Sequence, residues 1–574
     1  MIDRLFQTAF TYETDDARSQ QSALLWALGA PLILFPTFTF ILSALWFTAG
    51  ASLSFPAAWF ILCTSAAGAL YLPRVFLPGK SRLALLASLL LGALAFLISW
   101  LLYDTSIDGQ HYHFQAIYAL AEGWNPLRGD TQPPVIGDAI SLWSIHYPRS
   151  GTVFSANLLA AGLPLTAAKP LNFLILFGAG LLATGTLMRC GFSALFAVFL
   201  SAAAIASPVV LGQLFTTMND GALGLLMLVF TASMVAWIRN DDRLAAVIAA
   251  AAIILALNLK FSAIPIFVIL CAFACIAAWR AQGQGSAIRL GAGLLATAFA
   301  AIVVLGWSPY MQNVLDHGHV FHPLMGAEAI DIMQGGEYTN TPEVVKDMSP
   351  VERFFFSLFS QSHAGYETVA HLKIPFTISV PELRMSGGVD VRLAGFGPFF
   401  SGAIILSAIC AVLIYFRSAA RNPVTQGLLL IALAMLVSVV LMPQNWWARY
   451  VPQFWFVPLA IAAAAITTER MPMRIFGAVI ASILLFNGAL TGAVSFWLTA
   501  NRSIEVSTQI NAMKEADQPF CIYPDMIQSR IHAIREAGID IRYTPRDQIA
   551  CPAPEEIAGY GPDRFGGAIC ACAD

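Results

Sequence analysis

The sequence predicts an all-α polytopic membrane protein of about 13 transmembrane helices with a small C-terminal α/β domain. Three observations carry that prediction. Only 11% of the 574 residues are charged, against about 25% in soluble domains, while 58% are hydrophobic and the mean hydropathy is +0.70. Apolar runs of bilayer-crossing length recur along the chain. They stop near residue 498, where a strand–helix–strand pattern takes over.

The runs lie at 22–48, 55–73, 82–102, 170–188, 192–212, 221–238, 244–258, 261–279, 290–308, 396–416, 425–442, 451–467 and 475–498. They divide the chain into a cytoplasmic N-terminus (1–21), a transmembrane region (22–498) with long extracytoplasmic loops at 103–169 and 309–395, and an extracytoplasmic C-terminal domain (499–574). The N-terminus lacks a basic stretch followed by an apolar run and a small-residue cleavage site, so the first span is expected to act as its own anchor.

Orientation follows from Lys and Arg, which insertion holds on the cytoplasmic side. With the N-terminus inside, the inner connections carry twelve of them between Arg74 and Arg474, and the short outer ones carry two, Lys260 and Arg449. All nine histidines then fall in outer segments. The net charge of −3 contains no Lys/Arg run of the kind that binds nucleic acid. A Gly-rich phosphate loop, a Ser-His-Asp signature and a soluble nucleotide-binding domain are likewise missing from the pattern.

The second outer segment, with Gly335-Gly336 and Gly387-Gly388, reads as short surface helices joined by turns. In the last segment Phe520–Tyr523 and Ile539–Tyr543 read as strands around a helix from Asp525 to Ala537 stopped by Gly538. Four cysteines lie there, and pairing of Cys521 and Cys551 with Cys570 and Cys572 is expected in an oxidising compartment.

The polar chemistry concentrates in 103–150. Asp104 and Asp108 arrive where the third run leaves the hydrocarbon, and His111, His113, His146 and Arg149 follow among Tyr112, Trp124, Trp143 and Tyr147. Asp108 is either a group with chemical work to do or the N-cap of a helix beginning beside it. Lys260 and Arg449 break the charge bias, and a cation at a membrane boundary is a functional candidate by default; both could also snorkel to headgroups. Two histidine sets, His111/His113/His146 and His317/His319/His322, could hold a divalent metal. Neither spacing is a known zinc signature, and His111 and His113 would diverge by about 200° on a helix.

Asp-Gly-Gln-His-Tyr-His at 108–113, Gly-Trp-Asn-Pro at 123–126 and His-Tyr-Pro-Arg-Ser-Gly at 146–151 resemble the GT-C superfamily of membrane glycosyltransferases, in particular bacterial relatives of protein O-mannosyltransferases and aminoarabinose transferases. Residues 213–220, ending in Asp220, are similar to the family's second outer loop, 256–263 to its Lys-containing segment, and 317–324 to a Pro-containing turn of many members. The resemblance spans roughly residues 82–460. It departs at Gly109, where many members have Glu, and in the two runs before residue 82, which read as an added hairpin.

The resemblance implies a polyprenyl-phosphate-linked sugar as donor, inversion at the anomeric carbon, a glycan, lipid or protein acceptor, and a site on the periplasmic side of a bacterial inner membrane. It places an essential Asp in the first outer loop; direct displacement needs a base for the acceptor and a cation for the leaving phosphate, roles expected of Asp108 and of Arg449 with Lys260. Asp104, His111, His113, His146, Arg149 and Asp220 are candidates for substrate or metal binding, and metal dependence stays open. Two alternatives stand beside this reading: a lipid-linked glycan ligase or polymerase using a polyprenyl diphosphate donor, and a non-enzymatic lipid or solute transporter.

Overall fold

The computed structural model describes residues 15–77, 81–128, 141–333, 340–365, 370–416, 422–524, 527–545, 548, 555–558 and 567–572. Lys80, Gly335, Gly336, Arg417, Arg421 and Cys551 lie outside these residues, as does the start of the expected helix at 525–526.

The chain is a helical, multi-pass membrane protein with a small sheet near its C-terminus. In order, its helices are α1 (Asp15–Thr48), α2 (Phe55–Phe76), α3 (Ser81–Trp100), a π-helix (Gly109–His113) running into α4 (Phe114–Ala121), α5 (Ser141–His146), α6 (Ser150–Ala160), α7 (Leu171–Arg189), α8 (Ala194–Ile205), α9 (Pro208–Gly212), α10 (Asp220–Asn240), α11 (Arg243–Leu257), α12 (Ala263–Gln282), α13 (Gln284–Phe299), α14 (Gln312–His317), α15 (Pro350–Phe359), α16 (Val380–Ser386), α17 (Phe400–Phe416), α18 (Pro423–Val440), α19 (Phe456–Ile466), α20 (Met471–Ala516) and α21 (Ser529–Glu536). Nine described helices are long and apolar enough to cross a membrane. The other four runs, near 192–212, 244–258, 396–416 and 451–467, are shorter apolar helices. The run at 192–212 breaks because Pro208 has no N–H to continue the ladder, and a second short helix starts there.

The first run is no appendage. α1 packs along α7, where Gly29 and Gly178 face each other: a Cβ built on Gly29 would meet the Gly178 carbonyl at 3.1 Å, and one on Gly178 would meet the Gly29 carbonyl at 3.3 Å. Small residues let two apolar helices approach this closely, which is how helices associate when the surroundings are as apolar as they are. Trp26 and Ile33 are accordingly buried in the main core.

The loop after α3 is fastened from behind. The buried Lys169 ammonium donates to the carbonyls of Ser99 and Leu102 (2.7 Å), acceptors left open at the end of α3, and to the nearby Thr166 carbonyl (2.6 Å). The following helix, expected at the surface, is instead buried along one side, with Phe114, Ile117 and Leu120 directed into the protein.

The small domain matches the strand–helix–strand expectation: β1 (Phe520–Tyr523) and β2 (Ile541–Tyr543) pair in parallel around α21. β3 (Glu555–Glu556) and β4 (Ala568–Ala571) extend the sheet to the order β2-β1-β4-β3. α20 runs unbroken through the expected boundary at 499 to Ala516 and lends Val506, Ile510 and Met513 to the domain's core beside Ile522, Ile534 and Ile569. Cys521 and Cys572 form a disulfide, and Cys570 is also disulfide-bonded. The domain docks at the end of the bundle that carries the first loop: Arg530 donates to Gln110 at 3.0 Å, the Tyr103 amide to Ser503 at 3.0 Å, and the Leu165 amide to Glu536 at 2.9 Å.

Candidate functional site

Four residues far apart in sequence meet at that same end. Asp108 begins the turn into the π-helix, Asp220 is the first residue of α10, Lys260 lies in the tight turn between α11 and α12, and Arg449 lies in a short 3₁₀ turn between α18 and α19. Arg449 Nη2 donates to Asp108 Oδ2 at 2.6 Å, Arg449 Nε to Asp220 Oδ2 at 2.9 Å, and Lys260 Nζ to Asp220 Oδ1. A third carboxylate, Asp390, stands 3.4 Å from Arg449 Nη1.

Each position has a local cause. Asp220 sits at a helix N-terminus, where the dipole favours a carboxylate. Gln213 holds it there, donating to Asp220 Oδ2 at 2.9 Å and accepting the Gly221 amide at 2.8 Å. Lys260 lies over the Tyr450 ring, 4.2 Å from its centroid, and Arg449 over Trp447 at 5.2 Å, so aromatic faces support both cations. Asp108 makes no capping hydrogen bond to the helix it precedes. Its carboxylate turns to Arg449 instead.

Asp104 does the backbone work in its place. Its Oδ1 accepts from the Ser106 amide (2.9 Å) and hydroxyl (2.6 Å), and its Oδ2 from the Thr217 amide (2.8 Å), which ties the first loop to the segment before α10. The two neighbouring carboxyls differ in electrostatics as well. Burial raises the Asp104 carboxyl above its ordinary value despite these hydrogen bonds. Burial also works to raise Asp108, but the charge and hydrogen bond of Arg449 outweigh it and hold that group below the ordinary value. Burial opposes the Arg449 charge, and Asp220, Asp108 and Asp390 together more than restore it.

Access separates the two carboxylates that Arg449 holds. The Asp108 side chain keeps 27% of its surface accessible, and Asp220 keeps 2%. Asp108 is the one that a ligand can touch. Asp390 also pairs with Arg392 at 3.3 Å, so three carboxylates meet three cations and the linked cluster carries no net charge.

Around the cluster, Tyr112, His113, Trp143, Tyr147, Arg149 and Asn219 wall a cavity of about 30 Å³, the size of a water molecule or two. His113 packs against Tyr112 with ring centroids 4.4 Å apart, and burial pushes its imidazole down to about 4, Asp108 only partly offsetting this. Burial keeps the Tyr112 and Tyr147 phenols protonated. Arg149 lines the cavity, donates to Ser308 Oγ at 2.5 Å and stacks over Trp124 at 4.9 Å.

Of the residues singled out from sequence, Asp108, Asp220, Lys260 and Arg449 therefore come together, with His113 and Arg149 in the wall. Asp104 lies behind the cluster, and His111 is buried apart from the cavity. His146 belongs to a different group, with His317 and His322. That group takes one member from one of the two expected histidine sets and two from the other. Asp390 and Tyr450 carried no signal in the sequence beyond their outer position; Asp390 follows Gly387-Gly388 by two residues, and Tyr450 adjoins Arg449 in what reads as an interfacial aromatic belt.

No family model, curated protein or solved structure matches this chain.

Proposed function

We propose that the protein transfers a sugar from a polyprenyl-phosphate donor to an acceptor hydroxyl at the extracytoplasmic face of a bacterial plasma membrane, inverting the anomeric carbon. The observation that carries this reading is the contact between the accessible Asp108 carboxylate and the Arg449 guanidinium, with Lys260 next to them at the boundary of the apolar bundle. A base for the incoming hydroxyl and cations for the departing phosphate are the two things such a displacement needs, and here they adjoin.

The acceptor oxygen attacks the anomeric carbon from the face opposite the phosphate. Its proton passes to Asp108, and the bond between the anomeric carbon and the phosphate oxygen breaks with its electron pair staying on the phosphate. Arg449 and Lys260 hold the charge that develops there. Asp108, Asp220 and Asp390 all engage Arg449. A phosphate taking over that guanidinium releases Asp108 from the contact that lowers its pKa. Donor binding thus strengthens the base at the moment it is needed. The walls also have to part, since a cavity of about 30 Å³ admits water and no sugar.

The test is purified protein in lipid nanodiscs supplied with polyprenyl-phosphate sugars, or with polyprenyl diphosphate sugars, together with extracted cell-envelope acceptor. Acceptor-dependent release of polyprenyl monophosphate, followed by mass, is the expected result. Release of polyprenyl diphosphate alone would replace this reading with a glycan ligase or polymerase, and turnover of neither donor would remove glycosyl transfer. The lipid-linked sugar that accumulates in cells lacking the protein identifies the sugar.

A further inference from the structure

A second group of side chains, distinct from the Asp108 cluster, has the form of a metal centre. His146 closes α5, His317 closes α14, and His322 follows in the turn beyond. They come from the two long outer segments, and one ring nitrogen of each lies within 4.8 Å of the others. The rings of His317 and His322 lie flat upon each other, with centroids 3.8 Å apart and planes 2° apart. His146 stands upright against both, at 4.9 Å and 89° from His317 and at 4.7 Å and 88° from His322.

The hydrogen bonds fix where the protons of two of these rings sit. Asn313 is buried, and its amide nitrogen donates to the His146 carbonyl at 3.2 Å and the His322 carbonyl at 2.9 Å. Its side-chain oxygen is therefore the acceptor facing His146 Nδ1 at 2.8 Å, and that nitrogen must carry the hydrogen. His146 Nε2 is left with a lone pair. His317 Nδ1 lies 2.9 Å from the Glu328 carboxylate, which can only accept, so Nδ1 carries a hydrogen and the neutral ring has its lone pair on Nε2. An imidazole that gives its far N–H to a carboxylate or amide oxygen, and keeps the near nitrogen bare, is the arrangement that outer hydrogen bonds impose on metal-ligating histidines.

We propose that His146, His317 and His322 bind one divalent transition metal of the zinc class, and that the ion fastens the first outer segment to the second beside the Asp108 cavity. The chemistry of the donor set selects the metal. Three neutral nitrogen donors suit Zn²⁺, and also Co²⁺, Ni²⁺ or Cu²⁺, while Mg²⁺ and Ca²⁺ require oxygen ligands. Three protein ligands leave a fourth tetrahedral position for water, and Glu328 supplies negative charge from outside the ring of ligands. Nitrogens about 2.0–2.1 Å from a tetrahedral ion stand about 3.3 Å from one another, and the ion lies in the plane of each ring, so on loading the stacked His317 and His322 rings turn off one another and the nitrogens draw in by at most about 1.5 Å. His317, with 27% of its side chain accessible, has room to make that movement.

Position gives the ion a task. Tyr147 and Arg149, one and three residues after His146, line the Asp108 cavity. An ion held between His146 and the 317–322 turn sets where that wall stands.

The test uses the full-length protein purified without a histidine tag, stripped with chelator and titrated with Zn²⁺ alone. One zinc per chain by elemental analysis and a higher melting temperature are expected. His146→Ala and His317→Ala should each remove that zinc, while His319→Ala, three residues before His322 and outside the trio, should keep it. Glu328→Gln, on a residue with 67% of its side chain exposed, should weaken binding about 10- to 100-fold, which tests the site even if a histidine variant fails to fold. Co²⁺ should give the intense visible absorption of a four-coordinate site in the parent and lose it in His146→Ala. Substoichiometric zinc in the parent, full zinc in both histidine variants, or unchanged affinity in Glu328→Gln would overturn the proposal.

Discussion

Arg449 donates to Asp108 at 2.6 Å across 341 residues of chain, and the same guanidinium reaches Asp220 at 2.9 Å. One planar fork thus reads two carboxylates of different standing, one open to a ligand and one sealed. A fork with fixed donor directions can do this where an ammonium could not.

Asp108→Asn is expected to lower sugar transfer by at least about 100-fold, the low end of what a general base supplies. Arg449 keeps Asp220 and Asp390 as partners, so the melting temperature should stay within about 3 °C of the parent. Asp104→Asn should do the reverse, keeping most of the activity while losing stability through its contacts with Ser106 and Thr217. Turnover and thermal unfolding of both variants check this, and more than roughly a tenth of the activity remaining in Asp108→Asn would send the search for a base elsewhere.

Asp220→Ala is expected to cost about 3–5 kcal/mol, because it leaves Lys260 buried without its carboxylate. Adding Lys260→Met removes the stranded charge and should recover a good part of that loss without restoring transfer. Denaturant or thermal unfolding of the single and double variants is the measurement. A single variant that unfolds like the parent would show that Asp220 does not anchor the cluster.

Stability should fall as the pH drops from about 6.5 to about 4. His113 is neutral in the fold with its pKa pushed down to about 4, whereas an unfolded chain protonates it near 6.5. The stabilisation from holding it neutral is complete above the unfolded value and is lost on the way down to the folded one. Substitution of His113 by Gln should flatten that acid limb in melting curves recorded from pH 7 to pH 4. An acid limb of unchanged depth would assign the loss to other groups.

Non-reducing peptide mapping should recover Cys521 linked to Cys572. By loop entropy alone a bridge spanning 51 residues stabilises the small domain by about 4 kcal/mol. Reductant should therefore open residues 517–572 to protease while the transmembrane helices stay resistant. Formation of the bond in cells also requires that this domain face an oxidising compartment, so free thiols at both positions would contradict the outward orientation.

Much of the fold was legible because its signals are local. All thirteen apolar runs are helical, the one at 192–212 as two helices, and the strands at Phe520–Tyr523 and Ile541–Tyr543 follow from β-rich residues around a helix stopped by Gly538. Arg449 and Lys260 stood out because a cation on the wrong side of a charge bias is costly and needs a reason. What was not legible depends on contacts between distant segments. Periodicity cannot say that Asp108 pairs while Asp104 ties the loop, nor that His146 leaves its sequence neighbours for His317 and His322. The central place of α1 rests on Gly29 meeting Gly178, and single glycines in apolar helices are too common to mark a crossing.

α20 runs for 46 residues without a break, about 69 Å at 1.5 Å per residue. It starts in the apolar bundle and ends inside the core of the small domain. Such a rod behaves as a lever: a tilt of 5° about its lower end would carry the upper end about 6 Å, twice the length of the hydrogen bond that Arg530 makes to Gln110 in the π-helix after Asp108. The small domain consequently cannot swing as a free appendage, and force applied to it is felt two residues from Asp108.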